Sequence, residues 1–141
     1  MTSSRPTRVL FVCIGNCCRS QMAEGFARCY GGRRIVSRSA GLAPAGIVVP
    51  ETIQIMAEKN IDVSRHFSKP FDVTAANEFD VLVNMSGCPL PDGLRIPVLE
   101  WNIPDPIGQP LPVYRHVRDQ IEGLVADLIA RLHPRLANFR L

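Results

Sequence analysis

The sequence predicts an α/β fold: a doubly wound domain around a mostly parallel sheet. Three observations predict it. Short, nearly continuous apolar runs have strand length, helical apolar stripes lie between and after them, and a loop of small and polar residues directly follows the first run. The resulting order is strand, helix, strand, helix, strand, strand, helix. With 141 residues, 46% of them hydrophobic, the chain suits one domain spanning 1–141, with a flexible lead over 1–7.

Arg8 to Cys13, "RVLFVC", has the pattern of a strand buried on both faces of a parallel sheet. From Ser20 to about Tyr30, Met22, Phe26 and Cys29 or Tyr30 recur at helical spacing, and Gly31-Gly32 ends the helix. Cys29, on that stripe, is assigned to core packing. "RIVSRSA", Arg34 to Ala40, reads as a second strand, and "GLAPAGIVV" follows as a loop. Pro50 suits the first turn of a helix reaching about Lys59, with Ile53, Met56 and Ala57 facing inward. Phe79 to Met85 is a third strand and Arg95 to Glu100 a fourth. Ile61 to Asn77 and Ser86 to Gly93 are irregular or short helices. The last helix opens at Pro112 and stops at Pro134. Val113, Val117, Ile121, Leu124, Val125, Leu128 and Leu132 form its apolar stripe.

Bulk properties exclude several classes. No apolar run approaches the roughly 18 residues that span a bilayer, and the N-terminal "MTSSRPTR" lacks the apolar stretch of a signal peptide, so a cytoplasmic protein without a membrane partner is expected. Five cysteines, odd in number and unevenly spread, disfavour a secreted disulfide framework. A net charge of +3 with scattered arginines gives no basic patch for nucleic acid.

The chemistry concentrates in "CIGNCCRS", Cys13 to Ser20, where three cysteines fall within six residues at the end of the first strand. Ligands of doubly wound folds bind beyond the carboxyl ends of the strands, at the topological switch point. Five residues separate Cys13 from Arg19, enough to wind the backbone around a tetrahedral oxyanion. Gly15 and Asn16 tolerate left-handed geometry, which lets successive N–H groups of Ile14, Gly15, Asn16, Cys17 and Cys18 converge. The following helix adds orphan donors, and Arg19 can grip two oxygens with its planar fork. A sulfur on the floor of such a nest is favoured as a thiolate. Ser20 is placed both to cap the helix and to donate to that sulfur. Simple burial of the cysteines is one alternative. Zinc is another, but Cys13, Cys17 and Cys18 lack a matching Cys pair, and only Cys88 and His66 are left to complete a site; no metal and no cofactor are expected.

A nucleophile acting on a phosphate ester needs an acid opposite it. Asp105, between Pro104 and Pro106 in "WNIPDPIG", lies in the loop after the fourth strand, at the same end of the sheet, and its prolines stiffen the loop.

These residues resemble the low-molecular-weight protein tyrosine phosphatases and the arsenate reductases that share their fold. The likeness rests on "VLFVCIGNCCRS", on "SAG" from Ser39 to Gly41, on "DVSRH" from Asp62 to His66, and on "IPDP" from Ile103 to Pro106. It implies a single flavodoxin-like domain, a four-stranded parallel sheet of order 2-1-3-4 with helices on both faces. It implies Cys13 as nucleophile, Arg19 as oxyanion ligand and Asp105 as acid and then base. It also implies that Asn16, Ser20, Ser39 and His66 hold the loop and that Cys18 forms a reversible disulfide with Cys13. Cys88 resembles the second relay cysteine of the thioredoxin-coupled reductases, while Met85, a thioether incapable of exchange, stands at the first.

The leading reading is a cysteine-dependent phosphomonoester hydrolase of the protein tyrosine phosphatase type, working through a thiophosphate intermediate. Ile107 and Gly108 stand where phosphotyrosine-specific members carry aromatic rings. The alternative is arsenate reduction through Cys13 and an external thiol, motivated by "RSQMAEGF", by "DPIGQPLPVYRHVRDQI" and by Cys88. A third is an oxyanion-binding or redox-sensing module in which Cys17 or Cys18 traps Cys13. The partners implied are a phosphate monoester, a phosphoprotein among them, a phosphate or arsenate oxyanion, and a thiol reductant.

Overall fold

In the computed structural model, residues 5–134 are described; positions 1–4 of the expected flexible lead lie outside them. Four parallel strands form one sheet in the order β2-β1-β3-β4. The strands are β1 (Thr7–Cys13), β2 (Ile35–Gly41), β3 (Val81–Asn84) and β4 (Val98–Glu100), joined by α1 (Arg19–Gly31), α2 (Pro50–Ala57), the one-turn α3 (Val73–Ala76) and α4 (Leu111–Leu132). No helix among the described residues is long and apolar enough to cross a membrane.

The apolar run of β1 alternates between two cores, as a pleated strand must. Val9, Phe11 and Cys13 face a core closed by α1, α2 and α4, which contains Met22, Phe26, Ile55, Val117 and Ile121. Leu10 and Val12 face a smaller core with Ala40, Ala76 and Leu82, covered by α3 and irregular segments. Fully burying side chains such as Phe26 or Ile121 contributes about 1.5–3 kcal/mol each. The chain passes from β1 to β2 on one side and places β3 on the other. The loops after β1, β3 and β4 therefore meet at one edge, where the crevice opens.

Several expectations are corrected. Thr7 begins β1 and Arg5 is paired with Asp80 at 2.7 Å, so order starts within the predicted lead. Cys29 is exposed, because Tyr30 stacks on Phe26 with ring centroids 5.7 Å apart and takes that face of α1. α2 stops at Ala57, since Asn60 adopts φ +61° and the amides of Asn60 and Ile61 fold back onto Ala57 O and Met56 O. Thr52 and Ile55 are buried instead of Ala57, which is exposed, and Ile53, which is half-buried. β3 and β4 are shorter than expected: Phe79 turns back onto Ala76 O, and Pro97, which has no N–H to donate, precedes β4.

Candidate active site

The loop from Cys13 to Arg19 is held from outside by its carbonyls. Cys13 O accepts from Leu42 N at 3.0 Å, Ile14 O from Ala43 N at 2.8 Å, and Gly15 O from Ala45 N and the Ser68 hydroxyl, both at 2.9 Å. Asn16 O accepts from Gln21 Nε2 at 3.0 Å, Cys17 O from Val49 N at 3.1 Å, and Cys18 O from Met22 N at 3.0 Å. A trans peptide is planar, with its N–H pointing opposite its C=O. Six carbonyls tied outward therefore turn the amides of residues 14–19 inward, toward a common centre. Among the described residues those amides donate to no backbone carbonyl, and the Cys17 amide lies against its own thiol.

Local chemistry permits this winding. Asn16 takes φ +49°, a left-handed conformation that asparagine tolerates. Its side chain fixes the turn: Oδ1 accepts from Lys69 N at 2.8 Å, and Nδ2 donates to Ser20 Oγ at 2.7 Å. Gly41, at the end of β2, lets the loop lie close. A Cβ there would sit 2.7 Å from Ile14 O and 2.9 Å from Asn16 N.

Cys13 ends β1 at 2% exposure, and its Sγ is 2.9 Å from Ser20 Oγ. Because Ser20 Oγ accepts from Asn16, its proton is free to point at the sulfur. Ser20 lies inside α1 and does not cap it. Cys18 is the N-cap residue, without a side-chain cap, and the first turn carries no acid to neutralise the helix end. The amides and the positive end of the helix dipole are left for a bound anion.

Arg19 is buried at 5% exposure, with its guanidinium pinned by two carbonyls from neighbouring loops. Nη1 donates to Met85 O at 2.8 Å and to Ile103 O at 3.1 Å. Nη2 faces Asp105 Oδ2 at 3.6 Å, and Asp105 Oδ1 accepts from Ile107 N at 3.1 Å. The loops after β1, β3 and β4 thus bring Cys13, Arg19 and Asp105 into one crevice.

Ser39 and His66 do not touch the loop. Ser39 donates to the buried Glu24, which also meets Lys69 Nζ at 3.8 Å and Arg28 Nη2 at 2.6 Å. His66 Nδ1 meets Gln21 Oε1 at 2.9 Å, and Gln21 in turn holds Asn16 O. Ser39 and His66, expected to hold the loop, reach it at one remove, through Glu24, Lys69 and Gln21. Gln21, Glu24, Ser68 and Lys69 were absent from the sequence-based site. The one local signal for them is that Gln21 and Glu24 stand where an apolar helix face would be expected to begin.

The remaining thiols differ in surroundings. Burial pushes the Cys18 thiol up to about 12, with the nearby sulfurs of Cys17 and Cys13 adding to the rise. Cys17 is raised as well, first by burial and then by Cys13 and Asp105, with Arg19 opposing. Cys88 is exposed in the loop after β3, its backbone held by Asn84 and Ser86. No group of three or more His, Cys, Asp or Glu side chains among the described residues can hold a metal ion. Ile14, next to Cys13, and Ile107, two residues after Asp105, are exposed at 38% and 43%, while Trp101 packs on Phe11 with ring centroids 5.9 Å apart. Inward amides, a pinned guanidinium and a sulfur at the centre can hold a tetrahedral oxyanion against a nucleophile.

The family described as low molecular weight phosphotyrosine protein phosphatase matches residues 8–89. A curated relative, the glutaredoxin arsenate reductase of Synechocystis sp., is 40% identical over 129 residues, covering 89% of this chain and 98% of its own. A solved arsenate reductase in the phosphate binding state has a TM-score of 0.78 at 38% identity, covering 89% of this chain and 98% of that one. The arginine phosphatase of Geobacillus stearothermophilus has a TM-score of 0.75 at 25% identity, over 96% and 99% of the two chains.

Proposed function

From a chain that belongs to the low molecular weight phosphotyrosine protein phosphatase family, and is an enzyme of it, we propose arsenate reduction through Cys13 and an external thiol. The observation that carries this choice is the 40% identity to an arsenate reductase across nearly the whole length of both chains. Arsenate is a tetrahedral oxyanion with the size and charge of phosphate, so the amides of residues 14–19 and the Arg19 guanidinium would bind it.

In this mechanism the Cys13 thiolate attacks arsenic and water departs, leaving a sulfur–arsenic(V) ester. A second thiol then attacks the Cys13 sulfur. The electron pair of the S–As bond stays on arsenic, arsenite leaves as As(III), and Cys13 remains in a disulfide. A further thiol reduces that disulfide, so two thiols are oxidised for each arsenate. Met85, a fully buried thioether, cannot exchange, and Cys18 is an enclosed, fully protonated thiol at neutral pH. These features support an attacking thiol from outside, entering beside the exposed Ile14 and Ile107. A glutaredoxin-type partner fits the name of the Synechocystis relative. Five unpaired cysteines suit a reducing compartment such as the cytoplasm.

Asp105 favours a second reading, phosphomonoester hydrolysis. Held beside Arg19, its carboxyl would protonate the ester oxygen that leaves phosphorus as Cys13 attacks it. Hydrolysis of the thiophosphate would then use Asp105 as base. One reduced preparation separates the two. Arsenate-dependent NADPH oxidation is measured with glutathione, glutaredoxin and their reductase, then with thioredoxin and its reductase, beside hydrolysis of p-nitrophenyl phosphate. Turnover of arsenate that vanishes in Cys13→Ser is the expected result. Hydrolysis of the ester without arsenate turnover under either donor overturns the first reading in favour of the second.

A further inference from the structure

Of the loop carbonyls, Asn16 O is held by a side chain alone: Gln21 Nε2, at 3.0 Å. Pinning that oxygen outward turns the Cys17 amide inward. The same Nε2 donates to Phe67 O at 3.0 Å, so both of its protons are committed to carbonyls. This arrangement requires the Gln21 amide to present nitrogen to the loop and oxygen to His66. A flipped amide would set Oε1 against two carbonyl oxygens.

The two carbonyls oppose that flip, and the histidine tautomer opposes it a second time. Arg28 Nη1 lies 2.9 Å from His66 Nε2. Arginine offers donors and no acceptor, so Nε2 must accept and the ring proton sits on Nδ1, facing Gln21 Oε1 at 2.9 Å. Arg28 is itself oriented by Glu24, the i−4 carboxylate, at 2.6 Å. Its charge lies on the surface, with half of the side chain exposed.

We propose that Gln21 is a positioning residue for the oxyanion loop, and that Arg28 reinforces its orientation from the surface through the tautomer of His66. The inference rests on the reading of the loop as an oxyanion cradle. It adds that one of the six converging amides, that of Cys17, is aimed by a relay Arg28–His66–Gln21–Asn16 O in which every proton has one allowed direction.

The relay has a signature that packing alone does not produce. The charges facing the His66 ring are Glu24 and Arg28 from α1, and Asp62 and Lys69 from its own segment. Burial, opposed by Glu24 and reinforced by Arg28 and Lys69, lowers the ring's pKa from the ordinary histidine value. The Arg28 contact needs an accepting Nε2 and hence a neutral ring, so protonation breaks it. Without Arg28 the neutral ring is free to adopt either tautomer. Protonation then restores the Nδ1–H donor and with it the correct Gln21 orientation.

The test uses sulfate, a tetrahedral dianion whose charge is constant between about pH 5 and 8, and reads its affinity by calorimetry on the full chain. Gln21→Glu keeps an acceptor for His66 and loses both donors; its sulfate affinity is expected to fall about tenfold at neutral pH. Arg28→Leu leaves Gln21 in place. Its affinity is expected to fall severalfold near pH 7.5 and to recover toward the wild-type value near pH 5.5, so the ratio to wild type changes with pH. Unchanged affinity in Gln21→Glu, or a pH-independent ratio for Arg28→Leu, overturns the relay. A wild type that binds no sulfate, phosphate or arsenate overturns the cradle reading and the relay with it.

Discussion

Asp105 faces Arg19 across the crevice, with a carboxylate oxygen 3.6 Å from a guanidinium nitrogen. The carboxylate occupies the direction from which an oxyanion would also approach Arg19, and the same geometry puts a proton donor beside that oxyanion. Asp105→Asn removes the charge and the acid together. Oxyanion affinity is expected to rise severalfold, while p-nitrophenyl phosphate hydrolysis falls by about 10²–10⁴. Inhibition by phosphate and steady-state hydrolysis measure the two effects. A parallel loss of both contradicts the assigned role.

Ser20 is the hydroxyl nearest the Cys13 sulfur, at 2.9 Å, and is itself oriented by Asn16. Ser20→Ala leaves the sulfur with one hydrogen bond fewer at a site where charge must be held. Turnover is expected to fall about 10–100-fold, since one hydrogen bond to a charged group contributes about 1.5–3 kcal/mol. Ser20→Thr, which retains the hydroxyl, should restore part of the loss. Rates near neutral pH with arsenate and with p-nitrophenyl phosphate check both variants.

The loop and the acid were legible because their requirements are local. Gly15-Asn16 announces the left-handed turn, the Cys13-to-Arg19 spacing announces the cradle, and the flanking prolines mark Asp105. The sheet order came from the family resemblance, with which the order of the buried strands along the chain agrees. What holds the cradle was legible only in part, through the resemblance that named Asn16, Ser20, Ser39 and His66. Gln21, Ser68 and Lys69 act only where the segment from 61 to 72 crosses behind the loop, and no periodicity announces that approach. His66 was found by resemblance, but its reach through Gln21 depends on side-chain geometry in three dimensions. Cys29 illustrates the converse: its helical spacing suited the core, yet Tyr30 covered the position by stacking on Phe26 and bonding to Glu122.

Gly41 is the point where β2 touches the loop. A methyl group there would meet backbone atoms at 2.7 and 2.9 Å, which cannot rotate away as a side-chain end would. Gly41→Ala is expected to destabilise the fold by about 1–3 kcal/mol and to reduce oxyanion affinity more than tenfold. Gly123→Ala, inside α4 with open space around it, serves as the control: it should raise stability by about 0.5–1 kcal/mol and leave oxyanion affinity unchanged. Thermal melts with and without phosphate separate the two contributions: the stabilisation that phosphate gives the wild type should be absent from Gly41→Ala.

Glu58 ties α2 to α4. Its carboxylate accepts from Arg115 Nη2 at 2.9 Å and Arg118 Nη1 at 2.7 Å, and hydrogen bonds from Arg115 and then Arg118 lower its pKa to about 2. Unfolded, the group titrates near about 4.3. A depressed folded pKa means the contribution is present above the unfolded value and is lost as pH falls toward the folded one. Glu58→Gln should therefore melt below wild type near pH 7, and the gap should close between about pH 4.5 and pH 2. A gap that is constant over that window removes the ion pairs from the account.

Cys18 and Cys13 sit five residues apart in one loop, yet their surroundings predict opposite reactivity. Cys18 is enclosed at 2% exposure, and burial holds its pKa near about 12, so almost none of it is thiolate near pH 8. Cys13 shares the burial but has the Ser20 hydroxyl 2.9 Å away and the converging amides around it. Pulse alkylation of the native protein with iodoacetamide, read by peptide mass, should label Cys13 first. Cys29 and Cys88, both exposed, should follow, and Cys18 should stay unlabelled until the fold is melted. Phosphate should protect Cys13 while leaving Cys88 unaffected, because an anion in the cradle covers the sulfur there and not the loop after β3. Fast native labelling of Cys18 would mean the loop opens in solution, and Cys18 would then become the thiol able to close on Cys13.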